Sequence, residues 1–572
     1  MSVLLTPIRL GKIEIRNRLV FPAMNTRQAD IEGFVTDRTI HYYRERGLHG
    51  VGLVTVEMCS PEAAGRHRAH ELGMHDDKFL PGLKRLAQAI KETGARASIQ
   101  LGHGGGHTRE EVTGQRPIAP SAIEHIVREK NVRRIIPLEM DKRRILQTID
   151  AFTAGVIRAR KAGFDTVELH GGHGYLIFQF LSPVDNVRTD EYGGSLENRA
   201  RFAIELVKEC RKAAPDFPLI FRMSAEEYLP RGLTAQEGRQ VAKWIAEAGV
   251  DAIHVSTGSY RSGELTIVPP MIRDPGPFIP LAYGVKKEVN IPVIAVGRLN
   301  DPALAEGVLS LGYADMVAIG RGLIADPKWL EKVKDGKPES IRVCLACNTC
   351  GSAMHKGKSI GCVVNPWAGR ENQIPFSPAK TLKNILVVGG GPAGLESAAM
   401  LAQRGHKVTL AEKDPLLGGA LRLAMNSPVF EEVDLRPSMI ERFIDYQICS
   451  ARNAGVEILV STRLEKKLID RIRPDVVILA TGSPFRLPLN ILILFLLKSG
   501  VVHTSPLKRI LRTINTVPKL HRLFFKTFRK PNVPHLSLLQ GKKLDFFVVG
   551  DCETPGNTQE ALRSAVTVSA TV

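Results

Sequence analysis

The sequence predicts an α/β protein: an N-terminal (β/α)8 TIM barrel, a short cysteine-bearing segment and a C-terminal Rossmann-like domain. Three observations carry this. Over residues 1–340, eight short runs rich in β-branched residues alternate with helical segments. Further on, a strand at Ile385 to Val388 leads into Gly389-Gly390-Gly391-Pro392-Ala393-Gly394 and then a helix. Between the two regions stand Cys344, Cys347, Cys350 and Cys362, in a C-x2-C-x2-C-x11-C run.

The eight expected strands are Arg18 to Phe21, Val51 to Glu57, Ala97 to Leu101, Thr166 to His170, Leu219 to Met223, Ala252 to Ser256, Val293 to Val296 and Met316 to Ile319. Eight strands with helices between them match a closed parallel barrel, whose active site is built at the C-terminal strand ends. A loop-rich stretch from Cys344 to Lys380, containing Gly351, Gly357, Gly361, Pro366, Pro375 and Pro378, ends the barrel. Beyond it come the glycine turn, a helix to about Arg404, a second strand from Lys407 to Ala411, and Glu412. Together they form a dinucleotide fingerprint: the glycines let a pyrophosphate approach the helix N-terminus, and the carboxylate takes a ribose hydroxyl. Val476 to Gly482 and Phe546 to Asp551 read as later strands of the same domain. The expected divisions are 1–340 (barrel), 341–379 (cysteine segment), 380–484 with 544–572 (Rossmann-like domain) and 485–543 (an atypical insert).

Composition bounds the function. At 572 residues and 44% hydrophobic content, the chain is long enough for several ordinary cores. Its net charge of +19 is uneven: twelve Lys or Arg and no acid lie between Arg486 and Lys543. Such a stretch is either a solvated insert or a docking face for an acidic partner, and nothing else points to nucleic acid. The longest apolar run, Leu487 to Leu497, is broken by Pro488 and Asn490 and is too short to span a bilayer. The first residues lack a basic stretch before an apolar core, so no signal peptide is expected. Cys59, Cys210, Cys449 and Cys552 are scattered without a framework, which favours a reducing, cytoplasmic setting.

Two motifs carry chemistry. Thiolates at the spacing of the cysteine run can wrap a [4Fe-4S] cluster or hold a tetrahedral zinc. After the fourth strand comes His170-Gly171-Gly172-His173-Gly174-Tyr175. Two imidazoles three apart at a strand end can bind a metal or donate two hydrogen bonds to one substrate oxygen, while Tyr175 offers a phenolic proton.

The stretch from His170 to Phe202 (HGGHGYLIFQFLSPVDNVRTDEYGGSLENRARF) resembles the signature of the old yellow enzyme superfamily. The order of barrel, cysteine run and dinucleotide fold is similar to the NADH:flavin oxidoreductases that include 2,4-dienoyl-CoA reductase, enoate reductase and trimethylamine dehydrogenase. The resemblance implies that Pro22, Ala23, Met24, Met58, Gln100 and Arg222 contact an FMN ring or ribityl chain. It implies that Gly297-Arg298 and Gly320-Arg321 hold the FMN phosphate. His170 and His173 would polarise a substrate carbonyl while the flavin delivers hydride to the β-carbon, and Tyr175 would protonate the α-carbon. The four cysteines would hold a [4Fe-4S] cluster. Gly389, Gly391, Ala393, Gly394, Glu412, Lys413, Gly419 and Arg422 would bind FAD, with Asp551 near its ring end.

The chain departs from that group in places. Where trimethylamine dehydrogenase-like sequences have a tyrosine and a flavin-anchoring cysteine, it has His170 and Met24, which favours alkene reduction over amine oxidation. No histidine lies between Glu264 and Pro280, where the dienoyl-CoA reductases place one, so enones, enoates and enoyl thioesters stay open as substrates. Between Gly482 and Phe546, where the group has an NAD(P)H lobe, there is no G-x-G-x-x-G. The expected activity is therefore an ene reductase whose electrons come from NAD(P)H or from an electron-carrier protein. The alternatives are a dehydrogenase that passes electrons outward and a truncated, partly inactive copy; a homo-oligomer is left open.

Overall fold

The computed structural model describes residues 2–129, 131–374, 376–425, 438–483 and 544–572, with 529, 531, 533 and 536–539 as short pieces between the last two. The expected insert, 485–543, lies almost wholly outside the described residues. The chain divides into two units: residues 1–338 with 346–361, and residues 339–345 with 362–572.

The first unit is built on a closed barrel of eight parallel strands: β1 (Leu19–Phe21), β2 (Leu53–Cys59), β3 (Arg96–Leu101), β4 (Thr166–Gly171), β5 (Leu219–Ser224), β6 (Ala252–Ser256), β7 (Val293–Val296) and β8 (Met316–Ala318). Each run predicted from the sequence coincides with one of these strands to within two residues. β8 closes the barrel on β1 through Val317↔Leu19 and Ala318↔Val20. The strands are buried on both faces, which is why they read as near-continuous apolar runs. A hairpin of Ile8–Leu10 and Ile13–Ile15 packs Leu10 and Ile15 against Val20, Leu53, Ile220, Ala252, Ile294 and Met316. These residues lie toward the strand starts, so this plug seals the N-terminal end of the barrel and leaves the C-terminal end for chemistry.

Local signals set where helices begin. Thr234 and Glu237 make a reciprocal capping box at Ala235–Glu247, and Asp301 accepts two backbone N–H groups at Pro302–Ser310. The pairing of β2 on β3 shifts register between Val56 and Met58. The irregularity re-aims the strand end. Met58 then stands opposite Gln100, while the buried Glu57 accepts the Thr26 N–H at 2.6 Å and the Thr26 hydroxyl at 2.7 Å.

The second unit holds a five-stranded parallel sheet of β9 (Asn384–Val388), β10 (Lys407–Ala411), β11 (Glu457–Leu459), β12 (Val476–Leu479) and β13 (Asp545–Val548), in the spatial order β11-β10-β9-β12-β13. The order reverses beside β9, and in doubly wound sheets a ligand binds at the strand ends of such a reversal. The Pro392–Gln403 helix leaves the turn after β9 so closely that a Cβ on Gly394 would lie 1.8 Å from the Gly389 carbonyl oxygen. Only glycine fits there. Gly394→Ala should therefore destabilise this unit by about 1–3 kcal/mol, the usual cost of overpacking. Calorimetry would show a lowered unfolding transition, and an unchanged thermogram would mean that the turn can move aside.

Candidate active site

The polar side chains of the barrel gather at its C-terminal end in a regular way. Glu168 and His170 on β4, Arg222 and Ser224 on β5, and His254 and Ser256 on β6 are pairs two residues apart, so each pair shares one face of its strand. His170, Arg222 and His254 stand in register across the three strands. Gln100 on β3 donates to Glu168 Oε1 at 2.6 Å, and Glu168 Oε2 lies 2.7 Å from His254 Nδ1. All of these side chains are buried. Burial works against ionisation of Glu168, but the neighbouring His254, Arg222 and His170 overcome it and hold the carboxyl below the ordinary range. Arg222 donates to the Ala23 carbonyl at 3.2 Å, and its Nε is buried with no partner among the described residues.

The loop after β4 depends on glycine. A Cβ on Gly171 would meet the Phe221 ring at 2.3 Å, and one on Gly172 would come within 3.0 Å of the Ser224 N. His173 itself takes a left-handed conformation (φ +60°), its N–H donating to Ser224 Oγ at 2.9 Å and its Nε2 lying 2.7 Å from Ser256 Oγ. The rings of His170 and His173 are 5.0 Å apart, and Tyr175 lies 5.1 Å from His170. Burial, with Arg222 next in effect, pushes both histidines well below their ordinary pKa, so both are neutral at pH 7. His170 Nδ1 has no partner among the described residues. Burial also raises Tyr175, which keeps its proton and contacts the Tyr260 hydroxyl at 2.9 Å and His67 Nε2 at 3.2 Å.

The other predicted barrel residues surround this group. Pro22, Ala23 and Met24 follow β1, and a Cβ on Gly320 would strike Met24 Sδ at 2.8 Å. Gly297 (φ +118°) and Arg298 (φ +54°) follow β7, while Gly320 and Arg321 follow β8 at the start of Arg321–Ala325. The two guanidinium groups are engaged with the chain itself. Arg298 donates to the Pro270 and Met271 carbonyls at 3.0 and 3.2 Å, and Arg321 donates to the Pro269 carbonyl at 2.8 Å and to Asn348.

In the second unit, Gly389, Gly391, Ala393 and Gly394 form the turn into the helix. The Gly390 N–H donates to Glu412 Oε2 at 2.6 Å and the Asp414 N–H to Oε1 at 2.9 Å, so Glu412 braces the glycine turn from beneath. Gly419 (φ +51°) lies close enough that its Cβ would be 3.0 Å from Gly391 Cα. Gly550 approaches Ala393 in the same way, which brings Asp551 to this end, where it pairs with Arg529 and accepts the Gly556 N–H at 3.0 Å. Lys413 is exposed, and the Arg422 Nε donates to the Leu417 carbonyl. Cys344 and Cys362 belong to the second unit, Cys347 and Cys350 to the first. Among the described residues, no group of three or more His, Cys, Asp or Glu side chains is arranged as a metal site.

Sequence reasoning missed Glu168 and His254, which the alternation of polar residues at strand ends could have revealed. It also missed His67, Glu71 and Tyr260, which come from distant loops.

A parallel barrel with an arginine, a histidine pair and a protonated tyrosine at its C-terminal end, followed by a glycine-fingerprint sheet, defines a two-flavin oxidoreductase architecture. The NADH:flavin oxidoreductase / NADH oxidase family matches residues 3–340, and the FAD dependent oxidoreductase family matches residues 384–465. The chain belongs to the NADH:flavin oxidoreductase / NADH oxidase family. It is 41% identical over 483 residues to the NADH oxidase of Thermoanaerobacter brockii, covering 83% of this chain and 72% of that protein. It is 34% identical over 514 residues to the cinnamate reductase of Clostridium sporogenes, covering 84% and 74%. Among solved structures it is similar to a 2-naphthoyl-CoA reductase in complex with 2-naphthoyl-CoA, with a TM-score of 0.88, 26% identity and coverage of 100% and 99%. No helix among the described residues is long and apolar enough to cross a membrane.

Glu57 gives this site a measurable pH signature. Burial pushes its carboxyl up to about 8, against hydrogen bonds from Thr26 that act the other way. An unfolded glutamate titrates near ~4.3, so between about pH 4.5 and 8 the folded protein holds a proton that the unfolded chain releases. The stabilisation is complete below that window and is lost as pH rises through it. Glu57→Gln, neutral throughout, should flatten the decline in stability over this range. Denaturant midpoints measured across it check this, and equal slopes for both proteins would mean that Glu57 is ionised when folded.

Proposed function

We propose that the protein reduces activated C=C bonds, in enones, enoates or enoyl thioesters, at an FMN that Arg222 would help to hold in the barrel. The observation that carries this reading is the pair of neutral histidines, His170 and His173, beside a Tyr175 that burial keeps protonated. A relative called cinnamate reductase and a neighbour solved with 2-naphthoyl-CoA support it, since both names denote conjugated carboxyl compounds.

The residues present suit a flavin. The unpartnered Nε of Arg222 offers a buried cationic donor to the pyrimidine edge, where negative charge builds on reduction. Gln100, Met58 and the Pro22–Met24 segment border the same space. Because the Arg298 and Arg321 guanidinium groups are occupied by loop carbonyls, the backbone N–H groups of Gly297, Arg298, Gly320 and Arg321 are what the chain offers a phosphate.

Bound FMN would supply hydride to the β-carbon of the substrate. His170 and His173 donate hydrogen bonds to the carbonyl oxygen; for His173 this role calls for the tautomer with its hydrogen on Nδ1, in which Nε2 accepts from the Ser256 hydroxyl 2.7 Å away. Such donors favour the enolate-like transition state over the ground-state alkene. Tyr175 then passes its phenolic proton to the α-carbon. In the second unit, Gly389, Gly391, Ala393, Gly394, Glu412, Lys413, Gly419, Arg422 and Asp551 are the FAD positions. Cys344, Cys347, Cys350 and Cys362 would hold a [4Fe-4S] cluster on the strength of their spacing, for which a reducing, cytoplasmic compartment is suited. FAD and cluster, when bound, would supply one-electron chemistry, with NAD(P)H or a carrier protein as the donor.

Tyr175→Phe should retain FMN and its reduction, yet reduce 2-cyclohexen-1-one about 10²- to 10⁴-fold more slowly, the usual worth of a positioned proton donor. Stopped-flow oxidation of the reduced variant by the enone measures this, and a wild-type rate would remove Tyr175 from the mechanism. Protein purified without oxygen should also contain about four iron and four sulfide per chain. Stoichiometric zinc in their place would overturn the cluster assignment.

A further inference from the structure

Tyr175 has two polar neighbours, and they lead to different ends. One route runs through the Tyr260 hydroxyl, 2.9 Å away, to Arg68 Nη2 at 3.4 Å. An arginine does not release its proton in a protein, so any proton on this route comes from the half-buried Tyr260 hydroxyl itself. The other runs to His67 Nε2 at 3.2 Å. His67 Nδ1 lies 2.6 Å from Glu71 Oε2, close enough for an ion pair but off the line of a hydrogen bond. The His67 backbone N–H donates to the same oxygen at 3.2 Å, so a small turn of the ring is needed to align Nδ1 with the carboxyl. His67 and Glu71 are both buried.

We propose that Glu71 and His67 form a proton relay that restores the Tyr175 phenol after each turnover. This rests on the reading of Tyr175 as the donor to the α-carbon. When the α-carbon takes the proton, the Tyr175 O–H bond breaks, a C–H bond forms and a phenolate remains. His67 passes its Nε2 hydrogen to that oxygen while Nδ1 accepts the carboxyl proton of Glu71, leaving a neutral imidazole with its hydrogen on Nδ1 and a Glu71 carboxylate. A proton from water then enters at Nε2, and the Nδ1 hydrogen returns to the Glu71 carboxylate, which restores the starting tautomer and leaves hydroxide in solvent. One proton enters from water for each one given to carbon, and no electrons move.

Three features support the arrangement. Asn25 approaches His67 Nε2 at 3.2 Å, and its Oδ1 is buried without a partner among the described residues. Turning the amide over lets Oδ1 accept a hydrogen from Nε2, the tautomer the relay needs. Glu71 Oε1 is buried and lacks a hydrogen-bond partner among the described residues, which disfavours a full carboxylate there. Burial raises the Glu71 carboxyl to about 8, although Arg66, Arg68 and two backbone N–H groups pull it down, so it holds a proton to give at neutral pH. His67 and Glu71 are positioning residues in this scheme, since both act through Tyr175.

The test compares first and later turnovers of the holoenzyme, with dithionite as reductant and 2-cyclohexen-1-one as substrate. In His67→Gln and Glu71→Gln, steady-state turnover should fall about tenfold or more, within the range of proton-transfer catalysis. The first oxidation of pre-reduced enzyme, which starts with Tyr175 protonated, should lose much less. Imidazole in the buffer should restore the later turnovers. A second readout needs no turnover: the wild-type infrared spectrum should contain a carboxylic acid C=O band that shifts in D2O and is missing in Glu71→Gln. Equal losses in first and later turnovers, unmoved by imidazole, would overturn the relay and leave His67 as a brace for Tyr175. If instead Tyr175→Phe kept the wild-type first turnover, the proposed function itself would fail, whatever His67 and Glu71 did.

Discussion

One buried charge balance governs the barrel site. Arg222 is fully enclosed at the end of β5, and its guanidinium cannot shed its proton to escape the cost of burial. Glu168, on the adjacent strand, supplies the opposing charge, and it is fixed in place by Gln100 on one side and His254 on the other. Such a network is costly unless every member is satisfied. Here the satisfied carboxylate and the incompletely satisfied guanidinium stand together, which leaves hydrogen-bonding capacity on the Arg222 Nε unmet among the described residues.

The same balance sets the protonation of the groups above it. The positive field of Arg222 adds to burial in keeping His170 and His173 neutral, although Glu168 partly opposes it at His170. Neutral imidazoles can donate hydrogen bonds to a carbonyl oxygen but carry no surplus proton to give. Under the proposed function, the proton for carbon comes from the Tyr175 phenol, which burial keeps protonated beside them. The neutrality of the two histidines thus follows from burial and from the charge of Arg222 on the adjacent strand β5.

The strands were legible because a parallel barrel buries both faces of each one, so its β-branched runs stand out without any alternation to decode. The glycine positions were legible for a different reason: Gly394 and Gly171 sit where any side chain would strike a neighbour, and no other residue could occupy them. The His170, His173 and Tyr175 group lies within six residues and so could be read as one motif. His67, Tyr260 and Glu71 could not, since 108 residues separate His67 from Tyr175 and 85 separate Tyr175 from Tyr260. Only barrel closure brings those loops together. Side-chain direction was equally hidden: Arg298 and Arg321 follow the expected strands, but their guanidinium groups serve the loop at 269–271.

An arginine ties each half of the cysteine run to the framework of its own unit. In the first unit Asn348, placed between Cys347 and Cys350, accepts from Arg321 at the start of the segment after β8 and donates to the Val268 carbonyl at 3.0 Å. In the second unit Arg342, two residues before Cys344, binds both oxygens of Glu396 at 2.8 and 3.1 Å and donates to the carbonyl of Val364, two residues after Cys362, at 2.6 Å. Glu396 belongs to the helix that begins at the glycine fingerprint. The paired geometry of Arg342 and Glu396 fixes direction as well as distance. Each half of the run is therefore tied by an arginine to a strand end or a helix of its own unit.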